Sequence, residues 1–244
     1  MNLVIVTGTT NGIGAALRDV LAADANNLVI TLSRAGTTTK PPFNVKLDVS
    51  DIAAIEPAFA AIATLIGKQH FERAALINNA GVVLPVGAFD QIGAADTGRN
   101  LMVNLVAPMI LSRLFALATR PLATRRLIVN FSSGAAKRAI AGWSAYCAAK
   151  AGLEMATRVA ALEASANDPL LSICSLAPGV VDTQMQAVVR GTSETDFPDV
   201  ARFRAMKADG VLRDAHDVAK EIAGLIAGDR LTNGGNFDLR ELTQ

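Results

Sequence analysis

Residues 7–14 read Thr-Gly-Thr-Thr-Asn-Gly-Ile-Gly, and this stretch decides the fold. It follows a short apolar run at residues 3–7 and precedes a segment whose apolar positions recur at helical spacing. In a turn from strand to helix, Gly8 permits the tight turn, Gly12 lets the backbone approach a pyrophosphate, and Gly14 lets helix and strand pack closely. The position of the motif therefore favours a dinucleotide-binding loop over a glycine-rich turn without a ligand.

Outward from this loop, predicted strands and helices alternate along the chain. Such alternation is typical of an α/β fold with a parallel sheet covered by helices on both faces. Residues 1–244 are predicted to form a single domain. Residues 182–212 break the pattern because they are polar and irregular, and we interpret them as a substrate lid over the carboxyl edge of the sheet. Strands are predicted at residues 3–7, 28–32, 44–47, 75–78, 126–131, 171–176 and 235–239, and helices at residues 12–23, 51–67, 94–118 and 144–164.

Composition limits the classes of protein and partner that the chain can represent. Its 244 residues are 51% hydrophobic and carry a formal net charge of +1, which favours a globular protein and gives no electrostatic reason to expect a nucleic acid or membrane partner. Two cysteines and two histidines occur, without the spacing of a disulfide framework or a metal site. We therefore expect no metal. Residues 1–6 resemble a strand more than a signal peptide, so we expect a cytoplasmic protein.

The end of the second predicted strand should decide which cofactor ribose is recognised, because an acidic side chain there would bind a 2′-hydroxyl. The chain has Ser33 and Arg34 at this place and no nearby acid. A guanidinium can bind a 2′-phosphate through two hydrogen bonds, so the sequence favours NADPH over NADH, although Arg34 could instead be a solvated surface residue. Asp48 and Val49, after the third strand, could flank the adenine.

A polar turn closes the fourth predicted strand. Asn78 and Asn79 are followed by Ala80 and Gly81, and small residues at the edge of a sheet let the chain pass close to a ligand. The turn alone could be a simple connection. Its position at the carboxyl end of a strand is what indicates a contact with the cofactor.

The strongest chemical signal is the pair Tyr146 and Lys150, which lie four residues apart and therefore on one face of a predicted helix. An unperturbed phenol has a pKa of about 10, and a nearby ammonium should lower that pKa. The pair is thus a candidate general acid for a carbonyl oxygen. Ser133, at the end of the fifth predicted strand, could hold the same oxygen. Without Ser133 and the glycine loop, the pair would indicate no more than a helix surface contact.

The long helix predicted at residues 94–118 contains Asn104 and, four residues later, Pro108. Proline has no N–H, so the Asn104 carbonyl loses its donor within the helix. A buried carbonyl without a donor is costly unless something else satisfies it. A water bound there would begin a proton path toward Lys150, and a simple packing kink is the alternative.

Together these motifs resemble the short-chain dehydrogenase/reductase family over essentially the whole chain. The family pattern matches residues 7–14, residues 78–81, Asn104, Ser133, Tyr146, Lys150, Pro178 and Gly179 in order and spacing. More narrowly, residues 105–111, 142–147 and 177–186 resemble the sepiapterin reductase branch, and above all bacterial benzil reductases that form (S)-benzoin. One departure is Phe131, where the family often has isoleucine.

The resemblance implies a Rossmann-type sheet of seven strands, with Ser133, Tyr146 and Lys150 as a catalytic triad assisted by Asn104. It also implies a homodimer or homotetramer, commonly built from the helices that contain Asn104 and Tyr146. We expect NADPH to contact Gly8, Thr10, Asn11, Gly12, Ile13, Gly14, Ser33, Arg34, Asp48, Val49, Asn79, Ala80, Gly81, Tyr146, Lys150, Pro178, Gly179, Val181 and Thr183.

The predicted substrate is a small molecule whose carbonyl lies near the triad. Apolar and aromatic residues, among them Phe197 and Phe203 of the lid segment, favour an uncharged aryl ketone or a benzil-like 1,2-diketone over a small anionic keto acid. Asp238 resembles the acid that anchors the pterin ring in sepiapterin reductases, or it is a structural cap, so pterin reduction is the alternative. The residues expected at the substrate are Ser133, Trp143, Tyr146, Met185 and Asp238.

Two functions from other classes compete with a reductase. A sensor that binds NADP(H) without turnover would be expected to lose Tyr146 or Lys150, and both are present. A serine hydrolase would use Ser133, but the Gly-x-Ser-x-Gly pattern is missing and neither His70 nor His216 has an evident route to that serine. The sequence therefore favours the reductase.

Overall fold

The computed structural model describes residues 1–36, 38 and 42–242. Its central sheet consists of β1 (Asn2–Thr7), β2 (Asn27–Ser33), β3 (Phe43–Lys46), β4 (Phe71–Asn78), β5 (Ala123–Phe131), β6 (Leu171–Ala177) and β7 (Asn236–Asp238). The strands lie in the order β3-β2-β1-β4-β5-β6-β7, and every neighbouring pair is parallel. The order reverses between β1 and β4, which opens a crevice at their carboxyl ends. The prediction of a seven-stranded Rossmann-type sheet is confirmed.

Helices cover both faces of this sheet. One face buries Phe59, Leu111 and Phe115 beneath three helices, and the other buries Leu17 and Ile222 beneath two. These side chains recur at helical spacing, so each helix presents one apolar stripe to the sheet. The helices are α1 (Gly12–Ala22), α2 (Ile52–Ile66), α3 (Ala94–Leu101), α4 (Ala107–Thr119), α5 (Ser144–Asn167), α6 (Gln184–Arg190), α7 (Val200–Ala208), α8 (Ala215–Ala227) and α9 (Leu239–Leu242).

The segment predicted to be irregular, residues 182–212, contains two helices, α6 and α7, so that expectation was wrong. The Thr183 hydroxyl caps α6 by accepting from the Gln186 N–H. Arg204 of α7 donates to the Arg190 and Thr192 carbonyls, which ties the two helices together. Helices this short and polar leave little periodic signal in the sequence. We call residues 183–208 the helical hairpin.

Helix α8 was not predicted, although its signals are present in the sequence. Asp214 caps the first turn by accepting from the N–H groups of His216 and Asp217. The buried residues Val218 and Ile222 then follow at a spacing of four. An N-cap aspartate before an apolar stripe is a recognised start signal for a helix.

The long helix predicted at residues 94–118 is interrupted by a π-helical turn, Met102–Val106, between α3 and α4. Within it the Ala107 N–H donates to Met102 O, five residues back. Pro108 cannot continue the α-helical pattern because it has no N–H. The predicted kink is therefore present as a π-helical turn that contains Asn104. Turns of this kind are frequent at functional sites.

The outer surface of α4 and α5 is unusually apolar. Exposed apolar side chains there are Met109, Leu117, Met155, Val159 and Leu162. Counted as one helix, residues 94–119 are long and apolar enough to cross a membrane by length and composition, with 33% of the apolar window buried. One such helix is weak evidence for a membrane span, because core helices of soluble proteins meet the same length criterion.

Candidate active site

A cavity of about 600 Å³ lies at the carboxyl ends of the strands. It extends from the glycine loop, past the ends of β2 and β4, to Tyr146 and Lys150 on α5 and the beginning of α6. A cleft at the point where the strand order reverses is the usual ligand site of an open α/β sheet. Residues predicted to contact the cofactor that line the cavity are Gly8, Thr10, Asn11, Gly12, Ile13, Gly14, Ser33, Arg34, Asp48, Val49, Asn79, Ala80, Gly81, Tyr146, Lys150, Pro178 and Thr183.

The glycine loop is packed too closely for larger side chains. A Cβ atom at Gly14 would lie 2.2 Å from Gly8 O, and one at Gly8, whose φ is +72°, would lie 2.7 Å from Ala80 Cα. Asn79 holds the loop by donating to Thr7 O at 2.9 Å and to Gly8 O at 3.0 Å. The Asn11 side chain does not cap α1, so the first amides of that helix remain available to an anion. The loop therefore fits a dinucleotide pyrophosphate.

Charged residues surround the far end of the cavity. Arg34 is exposed at the end of β2, and Arg99 lies 4.0 Å from the Asp48 carboxylate. Burial raises the pKa of Asp48, but hydrogen bonds from Ser50 and the charges of Arg99 and Arg34 outweigh it, so the pKa is lowered. Asp48 is consequently an anion that can accept hydrogen bonds, between two cations that can bind a phosphate.

Tyr146 and Lys150 lie on one face of α5 and are both buried. Lys150 Nζ is 5.8 Å from the centroid of the Tyr146 ring and donates to Phe131 O at 2.8 Å. Burial lowers the pKa of Lys150 to about 8. The expectation that Lys150 lowers the pKa of Tyr146 was wrong for this structure: burial of the phenol raises its pKa, and the hydrogen bond with Ser133 only partly offsets that rise. Tyr146 therefore keeps its proton at neutral pH.

Ser133 lies just beyond the end of β5, in extended backbone with φ −157°. Its hydroxyl accepts from the Ala135 N–H at 3.2 Å, at the start of a short 3-10 helix, Gly134–Ala136. The same hydroxyl is near enough to the Tyr146 phenol to lower the pKa of that phenol. The structure thus brings together the serine and the tyrosine of the predicted triad, although Ser133 is not among the residues that line the cavity.

The Asn104 side chain holds the loop that follows β4. Its Nδ2 donates to Val82 O at 2.8 Å, and its Oδ1 accepts from the Val82 N–H at 3.2 Å. A Cβ atom at Gly81 would lie 3.0 Å from the same Oδ1. Asn104 is completely buried, so its side chain positions the cavity wall and any direct chemical role falls to its main-chain carbonyl.

An aromatic cluster adjoins Tyr146. Trp143 stacks on Phe197 of the helical hairpin with ring centroids 4.7 Å apart, and it meets Tyr146 and Phe203 edge-on at 5.4 Å and 5.5 Å. A Cβ atom at Gly142 would lie 2.5 Å from Asp196 O, so the hairpin lies directly against this turn. Trp143 Nε1 is buried without a hydrogen-bond partner among the residues that the structure describes. This cluster packs against Tyr146 and Met185, and these two residues line the cavity.

Asp238 ends β7 and is bound by Arg240. Arg240 Nε donates to Asp238 Oδ1 at 2.9 Å, and the second guanidinium nitrogen bonds Oδ2. This pairing lowers the pKa of Asp238, with Lys137 contributing a weaker attraction. The Arg240 stem lies against Gly179, where a Cβ atom would be 3.3 Å away. Trp143, Gly179, Val181 and Asp238 do not line the cavity, although they were predicted for the site.

Sequence reasoning missed several residues of the cavity wall. Asp96, Arg99 and Val103 line it from the long helix, and their spacing of three and four residues puts them on one face. That spacing, together with the proximity of Asn104 in the sequence, is a signal that could have found them. Val82, Val83, Leu84, Gln184 and Val188 also line the cavity.

Comparison with known proteins agrees with this geometry. The sequence pattern of a family described as short chain dehydrogenase matches residues 2–194. A benzil reductase ((S)-benzoin forming) of Bacillus subtilis is 34% identical over 243 residues, with 99% of each chain covered. A sepiapterin reductase of Rattus norvegicus is 28% identical over 98% of this chain and 96% of its own. The crystal structure of the KRED1-Pglu enzyme superposes with a TM-score of 0.83 at 27% identity, covering 97% of this chain and 100% of that one.

Proposed function

The chain belongs to the short-chain dehydrogenase/reductase family, and from this premise we propose that it is an NADPH-dependent reductase of one carbonyl in an apolar ketone or benzil-like 1,2-diketone. One observation carries the proposal: the buried, protonated Tyr146 phenol lines the cofactor-sized cavity, packs on its other side against Trp143, and is near enough to the Ser133 hydroxyl for Ser133 to lower its pKa. The acid thus faces the cavity, where the carbonyl of a bound substrate would receive its proton.

The cavity residues are assigned roles along the length of the cofactor. The glycine loop and the first turn of α1 bind the pyrophosphate, Arg34 binds the 2′-phosphate, and Asp48 and Val49 flank the adenine. Lys150 binds the nicotinamide ribose. When bound, NADPH supplies the hydride. The protein supplies orientation and electrostatics.

The proton transfer is carried out by Tyr146. Because burial raises the pKa of this phenol, it remains a donor throughout the neutral range. Ser133 binds and polarises the same carbonyl oxygen. The Asn104 carbonyl, which Pro108 leaves without an α-helical donor, assists by holding a water on the side of Lys150.

The substrate class follows from the residues beside Tyr146. Val83 lines the cavity together with Met185 and Val188 of α6. The stacked rings of Trp143 and Phe197 pack against these residues and Tyr146 without lining the cavity themselves. An aryl group adjacent to the carbonyl would bury its surface there, whereas a carboxylate would be desolvated without a partner.

This substrate class is tested by comparing kcat/KM for benzil, 1-phenyl-1,2-propanedione, sepiapterin and pyruvate. Each reaction is monitored by the loss of NADPH absorbance. The two diketones should be reduced most efficiently. A preference for pyruvate, or no reduction of benzil, would show that the apolar-site argument is wrong.

Pterin reduction is the second candidate, because the chain is also similar to sepiapterin reductases. Asp238 is the residue that would anchor a pterin, yet its carboxylate is bound by Arg240. Arg240→Ala should free that carboxylate and raise kcat/KM for sepiapterin about tenfold, the worth of one hydrogen bond to a charged group. The double variant Asp238→Asn, Arg240→Ala is the control and should lack the gain. No change for sepiapterin in Arg240→Ala would mean that Asp238 has a structural role.

Arg34 provides the prediction for cofactor preference. Arg34→Asp replaces a partner of the 2′-phosphate with a repelling carboxylate, so the Kd for NADPH should rise about 10- to 100-fold while NADH binding improves. Arg34→Ala is the matched control and should weaken NADPH binding without improving that of NADH. Isothermal titration of both variants with both cofactors checks this, and unchanged NADPH affinity would identify Arg34 as a solvated surface residue.

A homodimer or homotetramer is part of the same proposal. The apolar surface formed by Met109, Leu117, Met155, Val159 and Leu162 lies on α4 and α5, the helices that the family resemblance assigns to subunit contacts. Exposed apolar side chains concentrated on two neighbouring helices favour an interaction site there.

A further inference from the structure

Glu154 is a buried carboxylate on α5 that the proposed chemistry does not use. It lies one helical turn beyond Lys150 and is 7% exposed. Burying a carboxylate is costly unless hydrogen-bond donors surround it. Both of its oxygens are bound: Ser132 Oγ donates to Oε1 at 2.6 Å, and Asn236 Nδ2 donates to Oε2 at 2.5 Å.

The two partners connect α5 to two strands at the carboxyl edge of the sheet. Ser132 directly follows β5, and its N–H donates to Leu176 O of β6 at 2.9 Å. Asn236 begins β7 and pairs with Ser175 of β6. Glu154 is therefore bound to the two strands that flank β6. One of its partners, Ser132, directly precedes Ser133 at the end of β5.

Lys150 and Glu154 hold consecutive residues of the chain. Lys150 Nζ donates to Phe131 O at 2.8 Å, and Glu154 accepts from Ser132. One turn of α5 thus fixes the two residues that precede Ser133. Beyond them Ser133 has left the strand, and its hydroxyl must meet the Tyr146 phenol, which is carried by the same helix.

We propose that Glu154 is a positioning residue that sets the place of Ser133 relative to Tyr146. The proposal rests on the proposed function, because it gives Ser133 a carbonyl oxygen to bind. Packing alone does not require the carboxylate, since a leucine there would bury apolar surface and favour the helix. What the carboxylate supplies is directional attachment of Ser132 to the helix that carries the catalytic acid.

Two substitutions separate attachment from packing. Glu154→Leu removes both hydrogen bonds while keeping the volume, and a misplaced Ser133 should lower kcat about 10- to 100-fold. Glu154→Gln should stay within about threefold of the wild type, because its amide can accept from Asn236 while the Ser132 hydroxyl rotates to accept from it. The Kd for NADPH should be unchanged in both variants, so the loss is confined to kcat with the carbonyl substrate.

Thr157→Val is the matched control. Thr157 is also buried on α5, where its hydroxyl accepts from Asn130 and donates to Leu153 O and so is not the partner of Ser132. It should lower the melting temperature about as much as Glu154→Leu does, but it should leave kcat near the wild-type value. A similar fall in kcat in Thr157→Val would overturn the proposal, since the loss would then follow stability.

Ser132→Ala provides a test that does not depend on how well Glu154→Leu folds. It removes one hydroxyl and should reproduce the fall in kcat. The double variant Ser132→Ala, Glu154→Leu should have a kcat no lower than that of either single variant, because all three break the same hydrogen bond between Ser132 and Glu154. Wild-type kcat in Ser132→Ala, or multiplying losses in the double variant, would overturn the role of Glu154.

Tyr146→Phe, measured in parallel, distinguishes failure of the proposed function from failure of the positioning role of Glu154. If that variant keeps wild-type turnover, the proposed function fails and the positioning role fails with it. If it loses turnover while Glu154→Leu and Ser132→Ala keep theirs, only the positioning role is overturned.

Discussion

Tyr146→Phe should abolish nearly all carbonyl reduction and leave NADPH binding intact. The substitution removes one oxygen from a buried ring and keeps its packing against Trp143. General acid catalysis contributes about 10²- to 10⁴-fold to a rate, so kcat should fall within that range. Steady-state kinetics with a diketone, together with the Kd for NADPH from calorimetry, measures both parts of this expectation.

Cys147→Ser is the control for the Tyr146 variant. It changes the next residue of the same helix, whose sulfur contacts Arg138 O instead of the cavity, and turnover should persist. Turnover of Tyr146→Phe within tenfold of the wild type would mean that another group donates the proton.

Lys150→Met should weaken both cofactor binding and turnover. Lys150 is buried, lines the cavity and donates to Phe131 O, so methionine keeps the volume of the side chain and removes its charge and hydrogen bonds. The Kd for NADPH should rise about tenfold, as expected for a lost charge-assisted hydrogen bond. An additional fall of about 10²-fold in kcat should follow from loss of the group that orients the ribose and Tyr146.

The pH profile of the wild type provides an independent measurement of Lys150. Burial disfavours the ammonium and lowers its pKa from 10.5 to about 8, so Lys150 is charged below that pH and neutral above it. The rate of reduction should therefore be level at lower pH and fall as pH rises through about 8. Unchanged cofactor affinity in Lys150→Met, or a level profile well into the alkaline range, would contradict the ribose contact and the need for the charge.

The parts of this molecule that short sequence patterns encode were predictable. Gly8, Gly12 and Gly14 indicated the strand-to-helix turn because larger residues are disfavoured there. Short apolar runs, separated by segments with helical spacing, located the parallel strands. The spacing of Tyr146 and Lys150 placed both on one helix face, which the structure turns toward the cavity.

The parts that depend on contacts between distant residues were not predictable. The pKa of Tyr146 follows from how deeply the helical hairpin and α5 enclose it, and a local pattern contains no measure of that enclosure. The pairing of Asp238 with Arg240 is local in sequence, but nothing in the sequence says that the guanidinium turns back onto the carboxylate, so Asp238 looked equally suited to binding a pterin or capping a turn. Glu154 resembled an ordinary helix acid until the structure placed Ser132 and Asn236 beside it.

The stack of Trp143 on Phe197 has a practical consequence for observing this protein. The chain contains one tryptophan and one tyrosine, and both belong to the aromatic cluster beside the cavity. Intrinsic fluorescence is therefore a single-site signal, without the background of indoles elsewhere that obscures such measurements in most enzymes. Separation of the helical hairpin from Trp143 would alter the emission of that one ring. Any movement of the helical hairpin against Trp143 on addition of a substrate can accordingly be measured in stopped-flow experiments on the unlabelled wild-type protein.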